Sequence, residues 1–219
     1  MKMFLMNKSV TKFFRLPLSR KLQAIANLYY RKKTSWVYRF LLSSLGQESL
    51  VRKPLFLSLE AISLGSRVVI WDGARIEAIH EYRSQKFSPE IFIGEGVTIE
   101  QRVHITAASK LIIGKDTMIS IDVMIQDTEH GYSDIDRAIS AQSLTVKQTI
   151  IGSNCLIGAG VKVLAGTKLG NNCIVGANSV LKGEYPNHCI IVGAPAKIVK
   201  KYDVDISAWR KVDADGEFL

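Results

Sequence analysis

Aliphatic residues recur at every sixth position along much of this chain. From Ile151 the series runs Ile151, Ile157, Val163, Leu169, Val175 and Leu181. A second series, Cys155, Val161, Thr167, Cys173 and Ser179, holds mostly small residues, and Gly152, Gly158, Gly170 and Gly176 follow four of the aliphatic positions. The same register stands upstream in Leu64, Ile70 and Ile76, in Ile93, Ile99 and Ile105, and in Ile113, Ile119 and Ile125. Neither an α-helix nor a simple amphipathic strand repeats every six residues. Short strands joined by tight corners do. One aliphatic side chain points inward from each flat face, and a small residue or glycine sits at each corner. Three faces close a triangular coil of about eighteen residues, and stacked coils bury a continuous aliphatic column. Five or six coils are readable, a regularity that an ordinary β-sandwich does not explain.

The breaks in this register are as informative as the register. Ile105 to Ile113 spans eight residues, a two-residue insertion at one corner. An irregular stretch with Pro89 follows Ile76. The gap from Ile125 to Ile151 is twenty-six residues, twenty more than one hexapeptide. Its GYSDIDRAISAQS segment is polar and turn-forming, which predicts an extruded loop over about 131–148, and long ordered loops in compact repeats are often functional. Before the repeat, Leu18, Leu22, Ile25, Ala26 and Tyr29 fall at helical spacing, Trp36, Val37, Phe40 and Leu41 extend an apolar face, and Gly46 is a stop signal. The division expected is a basic amphipathic helical segment over 1–53, a β-helix over 54–201 and a polar tail over 202–219.

Charge sharpens this division. The 219 residues carry a net charge of +9, but residues 1–53 hold twelve Lys/Arg against Glu48 alone, a net +11, and the remainder is −2. A basic segment of this kind meets an anionic partner. Two roles stand side by side for it: docking at a membrane surface, or capping the end of the repeat column. No apolar run reaches the roughly 18 residues of a membrane span. Lys8, Lys12 and Arg15 interrupt the apolar residues of the N-terminus, unlike a secretory signal. The expected location is cytoplasmic, with peripheral contact at the inner face of the membrane. Cys155, Cys173 and Cys189 are too few for a disulfide scaffold and lack CxxC spacing. Cys155 and Cys173 occupy the small position of the repeat and are read as packing residues.

Three motifs carry a resemblance over roughly residues 60–200: IQDTEHGYSD (125–134), TIIGSNCLIGAGVKVLAGTKLGNNCIVGANSVLKG (149–183) and IIVGAPAKIVKKY (190–202). The chain resembles the hexapeptide-repeat O-acetyltransferases, the group that includes galactoside and maltose acetyltransferases, xenobiotic acetyltransferases and acetyltransferases of bacterial polysaccharide clusters. The resemblance implies an all-β fold, a left-handed parallel β-helix, and a homotrimer with active sites in clefts between subunits. It implies acetyl-CoA as co-substrate along the C-terminal coils, with no metal and no nucleic acid as partner. The acceptor it points to is a sugar or glycolipid hydroxyl.

His130 matches the position of the family's catalytic histidine, at the end of an I-x-D-x-x-H run where the loop opens. Imidazole suits removal of a proton from a poorly acidic alcohol because its pKa lies near working pH. Asp127 and Glu129 flank it as groups to orient the ring or bind sugar hydroxyls, with an acidic turn as the plainer reading. Glu100, Gln101 and His104 lie in the coil from which the resemblance draws acceptor contacts by a neighbouring subunit. Ala159 and Ala177, eighteen residues apart, match positions whose main chain contacts the pantetheine arm, and the backbone N–H of one of them is an oxyanion candidate. Lys182, Lys197, Lys200 and Lys201 offer cations for the phosphates. Lys182-Gly183-Glu184 departs from the family's Thr-Lys-acid order by one position, which puts the contact of Lys182 in doubt.

Four other readings are weaker. N-acetylation of an amino-sugar nucleotide fits the fold, but the nucleotide-binding domain that precedes many such helices is not in this sequence. A zinc carbonic anhydrase needs three converging histidines, and His80, His104, His130 and His188 lack the paired spacing. Serine O-acetylation goes with a large helical N-terminal domain, which is also not seen. A non-catalytic scaffold at a membrane surface rests on the basic N-terminal segment alone.

Overall fold

The computed structural model describes residues 13–213 and 216–219. Lys8 and Lys12 lie outside the described residues. The body is a left-handed parallel β-helix with three flat faces. One face has seven strands, one has nine and one has six. On the seven-stranded face, Leu45, Leu64, Ile93, Ile113, Ile151, Leu169 and Tyr185 stack rung upon rung. On the nine-stranded face the inward ladder is Val51, Ile70, Ile99, Ile119, Ile157, Val175 and Ile191. On the six-stranded face it is Leu57, Ile76, Ile105, Ile125, Val163 and Leu181. Most of these side chains are fully buried. Each contributes about 1.5–3 kcal/mol relative to exposure, and a single coil could not bury its own interior.

Six coils are complete and a seventh closes early. The first begins at Ser44–Leu45, not at residue 54. Leu45, Val51 and Leu57 already stand six apart, and the seven-residue step to Leu64 hides their continuity with the next coil. Corners are filled by small or left-handed residues. Asn154 and Asn172, both at positive φ, lie one coil apart, and the Asn154 amide donates to Asn172 Oδ1 at 2.6 Å. Gly160 has φ +69, and a Cβ there would fall 2.3 Å from Asn178 Oδ1. Cys155, Cys173 and Cys189 are all free and buried at one small position, and the Cys173 sulphur beside it, together with burial, pushes the Cys155 thiol up. Buried hydroxyls at such positions bond to backbone carbonyls, as Thr117 does to Gly152 at 2.9 Å.

Both ends of the column are closed. A helix, Leu18–Trp36, crosses the first coil, and Tyr38 and Leu42 after it join the core. The apolar residues read from the sequence as its continuing face, Trp36, Val37, Phe40 and Leu41, are instead exposed. At the other end, residues 202–219 are no free tail. Ala196–Asp203 and Ala208–Lys211 add two antiparallel strands to the nine-stranded sheet. Tyr202 meets Trp209 edge to face and Arg210 pairs with Asp203 at 3.0 Å.

Candidate functional site

A triangular coil admits extra residues only where the chain turns. Two long excursions occur, and both leave the column at the same corner, after the six-stranded face and before the seven-stranded one. The first follows Arg75–Ala78 and contains an antiparallel hairpin, Glu81–Tyr82 with Gln85–Lys86. The second follows Met124–Gln126 and is held at its base by a second antiparallel pair, Thr128–His130 with Leu144–Val146. The hairpin grips the longer loop. Gln85 Nε2 donates to the Leu144 carbonyl at 3.1 Å, and the Leu144 N–H donates to Gln85 Oε1 at 2.7 Å. Arg83 Nε and the Tyr82 hydroxyl both donate to the Ser140 carbonyl. Between the two excursions lies a recess of about 270 Å³, floored by Thr106 and Gln126 and walled by Ile79, Tyr82, Thr128, Glu129, His130 and Leu144.

His130 is exposed at the edge of this recess. Its Nδ1 lies 3.5 Å from the Tyr82 hydroxyl, at the outer limit of a hydrogen bond, and the two rings meet edge to face at 5.6 Å. A phenol has one proton, and this one goes to the Ser140 carbonyl at 3.1 Å. With that proton committed, the phenol oxygen is left as an acceptor on the side that faces Nδ1.

Asp127 takes no part in this arrangement, contrary to the orienting role expected for it. It is fully buried. Its Oδ1 accepts from the Ala108 N–H at 2.8 Å, and its Oδ2 accepts from the Ser109 N–H and hydroxyl, both at 2.7 Å. The carboxylate thus ties the root of the long loop to the corner of the preceding coil. Glu129 pairs with Lys182 at 3.3 Å. Lys182 therefore stands at the His130 corner, away from Lys197 and Lys200 in the C-terminal hairpin. Lys201, the fourth cation, donates to the Gly216 carbonyl at 2.7 Å.

Ala159 and Ala177 stack one coil apart at the corner between the nine- and six-stranded faces, where the Asn178 N–H donates to the Ala159 carbonyl at 2.8 Å. Among the described residues, neither alanine's own N–H is spent on a protein acceptor. Glu100 and Gln101 follow Thr98–Ile99 at the same corner. Within one chain, this corner and the His130 corner are separated by the width of the six-stranded face. His104 lies on that face, where Nε2 meets Arg75 at 3.2 Å and Thr106 at 3.1 Å. Burial, and then the Arg75 charge, hold its imidazole below the usual histidine range. His80 pairs with Glu60, and His188 lies near Tyr202. Among the described residues no group of three or more His, Cys, Asp or Glu is placed to hold a metal ion.

The hairpin with Tyr82, Arg83 and Gln85 was not read from the sequence as part of the site. A signal for it exists. Ile76 and Ile125 hold the same register position, so the gaps that follow them leave the same corner.

Comparison with known proteins agrees with this architecture. Residues 148–183 match the family model described as Bacterial transferase hexapeptide (six repeats). An Escherichia coli (strain K12) protein, provisionally named lipopolysaccharide biosynthesis O-acetyl transferase WbbJ, is 34% identical over 128 residues, 55% of this chain and 65% of the relative. Among solved structures, a mutant of AntD, an N-acyltransferase from Bacillus cereus in complex with dTDP and coenzyme A, aligns with a TM-score of 0.66 at 18% identity. The alignment covers 78% of this chain and 91% of that one. A maltose O-acetyltransferase from Clostridium difficile 630 aligns with a TM-score of 0.58 at 21% identity, covering 84% of each. At these identities the two structures share the fold. The chain spans less than two thirds of the length of the curated relatives it matches.

Two predictions follow from the geometry of the site. Asp127→Ala strands the buried Ala108 N–H and the half-buried Ser109 N–H and lowers stability by about 3 kcal/mol. It also speeds limited proteolysis within 131–143, where an unchanged cleavage rate contradicts the anchoring role. In an NMR titration His104 gains its proton below the usual value of about 6.5. The unfolded chain binds that proton first, so folded stability falls as pH drops through about 6.5. Arg75→Gln moves the His104 midpoint upward.

Proposed function

We propose that this chain, which carries the bacterial transferase hexapeptide repeat, transfers an acetyl group from acetyl-CoA to a sugar hydroxyl in a surface glycan or its lipid-linked precursor. The observation that carries the reading is the Ser140–Tyr82–His130 relay. In this reading the Nδ1 proton faces the Tyr82 oxygen, and Nε2 is the base for an acceptor bound in the recess beside Thr106, Gln126 and Glu129. Nε2 takes the proton of the acceptor hydroxyl as the oxygen attacks the thioester carbonyl. The imidazolium returns that proton to the sulphur as the C–S bond breaks. Tyr82 holds the tautomer throughout. A free amine is nucleophilic before it loses a proton and sheds it only after attack, so a base matters less there, and a positioned histidine favours a hydroxyl acceptor. The name of the Escherichia coli relative supports a glycan hydroxyl as acceptor.

Acetyl-CoA supplies the activated acyl group. The stacked Ala159–Ala177 corner suits its pantetheine arm, because the side chains are small and both N–H groups are open. Either N–H is also a donor for the carbonyl oxygen as charge develops on it. Exposed Lys197 and half-buried Lys200 supply positive charge for the phosphates. That corner lies a face away from His130 of the same chain, so the site is complete only where a neighbouring copy brings its corner to the recess. A homotrimer meets this need, with Glu100 and Gln101 of the neighbour contacting the sugar. The enzyme works on the cytoplasmic side of the membrane, where the donor is made.

The test is thiol release from acetyl-CoA with a panel of sugar acceptors. His130→Ala lowers kcat by about 10²–10⁴-fold while light scattering shows an unchanged trimer. Tyr82→Phe lowers kcat by a smaller factor. A His130→Ala variant that retains most of its turnover contradicts the mechanism.

A further inference from the structure

The N-terminal helix is turned the opposite way from an ordinary surface helix. Amphipathic helices normally bury the apolar stripe and expose the polar one. Here Leu18, Leu22, Ile25, Tyr29 and Trp36 form one stripe at helical spacing, and all five are 57–79% exposed. The opposite, polar face meets the first coil. Thr34 is fully buried, and its hydroxyl oxygen accepts from the Val51 N–H at 2.9 Å. Asn27 Oδ1 accepts from Arg52 at 2.9 Å, and the Arg52 guanidinium lies 5.4 Å from the centre of the Tyr30 ring. The end of the column is closed by Tyr38 and Leu42, so the stripe is not needed as a cap.

Charge identifies what covers the stripe. Residues 13–47 contain seven Lys/Arg and no Asp or Glu. On a helical projection Lys21, Lys32 and Lys33 flank the apolar stripe. Tyr29 and Trp36 are the aromatic types that settle at a membrane–water boundary. Two copies packed stripe to stripe would set like charges against each other, whereas a surface of anionic lipid neutralises them. No helix among the described residues is long and apolar enough to cross a membrane.

We propose that the helix Leu18–Trp36 lies in the plane of a bilayer rich in anionic phospholipid. The apolar stripe enters the acyl boundary, and the flanking lysines lie at the headgroups. The body of the β-helix then hangs from the polar face of the helix on the aqueous side. The proposal stands apart from the acetyl-transfer reading, because none of its residues lies at the His130 recess.

Co-sedimentation of the full chain with vesicles tests it. The chain binds vesicles of phosphatidylcholine mixed with phosphatidylglycerol at low salt, binds phosphatidylcholine alone weakly, and loses affinity as salt rises. Leu22→Glu combined with Ile25→Glu reduces the partition coefficient at least about tenfold. Both side chains are more than half exposed, so the thermal midpoint does not fall. Lys21→Glu combined with Lys32→Glu weakens binding and flattens its salt dependence. Trp36 fluorescence shifts to the blue on binding. The proposal is overturned if anionic vesicles leave the chain in the supernatant at low salt, or if the Leu22/Ile25 variant partitions like the wild type. It is also overturned if that variant instead lowers the oligomer mass in light scattering, which would make a second copy the occupant.

Discussion

The interior of this column takes only the side chains that alternate inward along each flat face, and most other features follow from that limit. Most faces supply one per rung, and the seven-stranded face supplies two where Ile62, Ile91 and Leu111 join Leu64, Ile93 and Ile113. Ile99, Ile105, Ile119 and Ile125 are fully buried with no room for an extra residue between rungs. A one-residue slip on a flat face would turn an outward side chain into the core. Insertions are therefore confined to corners, where the chain already leaves the inter-strand ladder. Both long excursions obey this rule, and both use the corner after the six-stranded face. Because they start two coils apart at one corner, they meet: Gln85 and Tyr82 of the first bond to Leu144 and Ser140 of the second. The recess beside His130 is the space between two insertions that the core could accept nowhere else.

The same logic divides labour among three polar residues within four positions, Asp127, Glu129 and His130. Asp127 points back into the column and spends its carboxylate on three donors at the 108–109 corner. Glu129 points outward to Lys182. His130 ends the short strand and faces Tyr82. The rigid coil fixes the root of the loop, and the root and the hairpin together place the histidine. The side chains that line the recess from its two walls are thereby held by residues outside the repeat.

The repeat itself was legible from spacing, because six-residue periodicity has few physical explanations and every coil repeats the evidence. His130 was legible because it stands where the register stops. The first coil was missed because Leu45, Val51 and Leu57 follow a helical segment and precede a seven-residue step. Tyr82 was missed because hairpin residues carry no period of their own, and only the shared register of Ile76 and Ile125 points to it. The burial of Asp127 was not readable either: an acid beside a histidine looks functional until its partners, Ala108 and Ser109 in the preceding coil, are placed against it. The helix was found, but its orientation was not. An apolar stripe reads as core-facing, whereas here Thr34 and Asn27 make the contact with the coil. The strand Ala208–Lys211 was overlooked because one short strand among polar residues resembles a tail.

In the proposed enzyme the His130 recess and the Ala159–Ala177 corner of a neighbouring copy form one acyl-transfer site. A crystal structure of the chain with coenzyme A and a sugar acceptor tests it most directly. The acceptor hydroxyl is expected within about 3.2 Å of His130 Nε2, with the thiol beside it and the pantetheine arm on the backbone of Ala159 and Ala177 of the adjacent subunit. Coenzyme A bound away from this recess, or an acceptor held out of reach of His130, would contradict it.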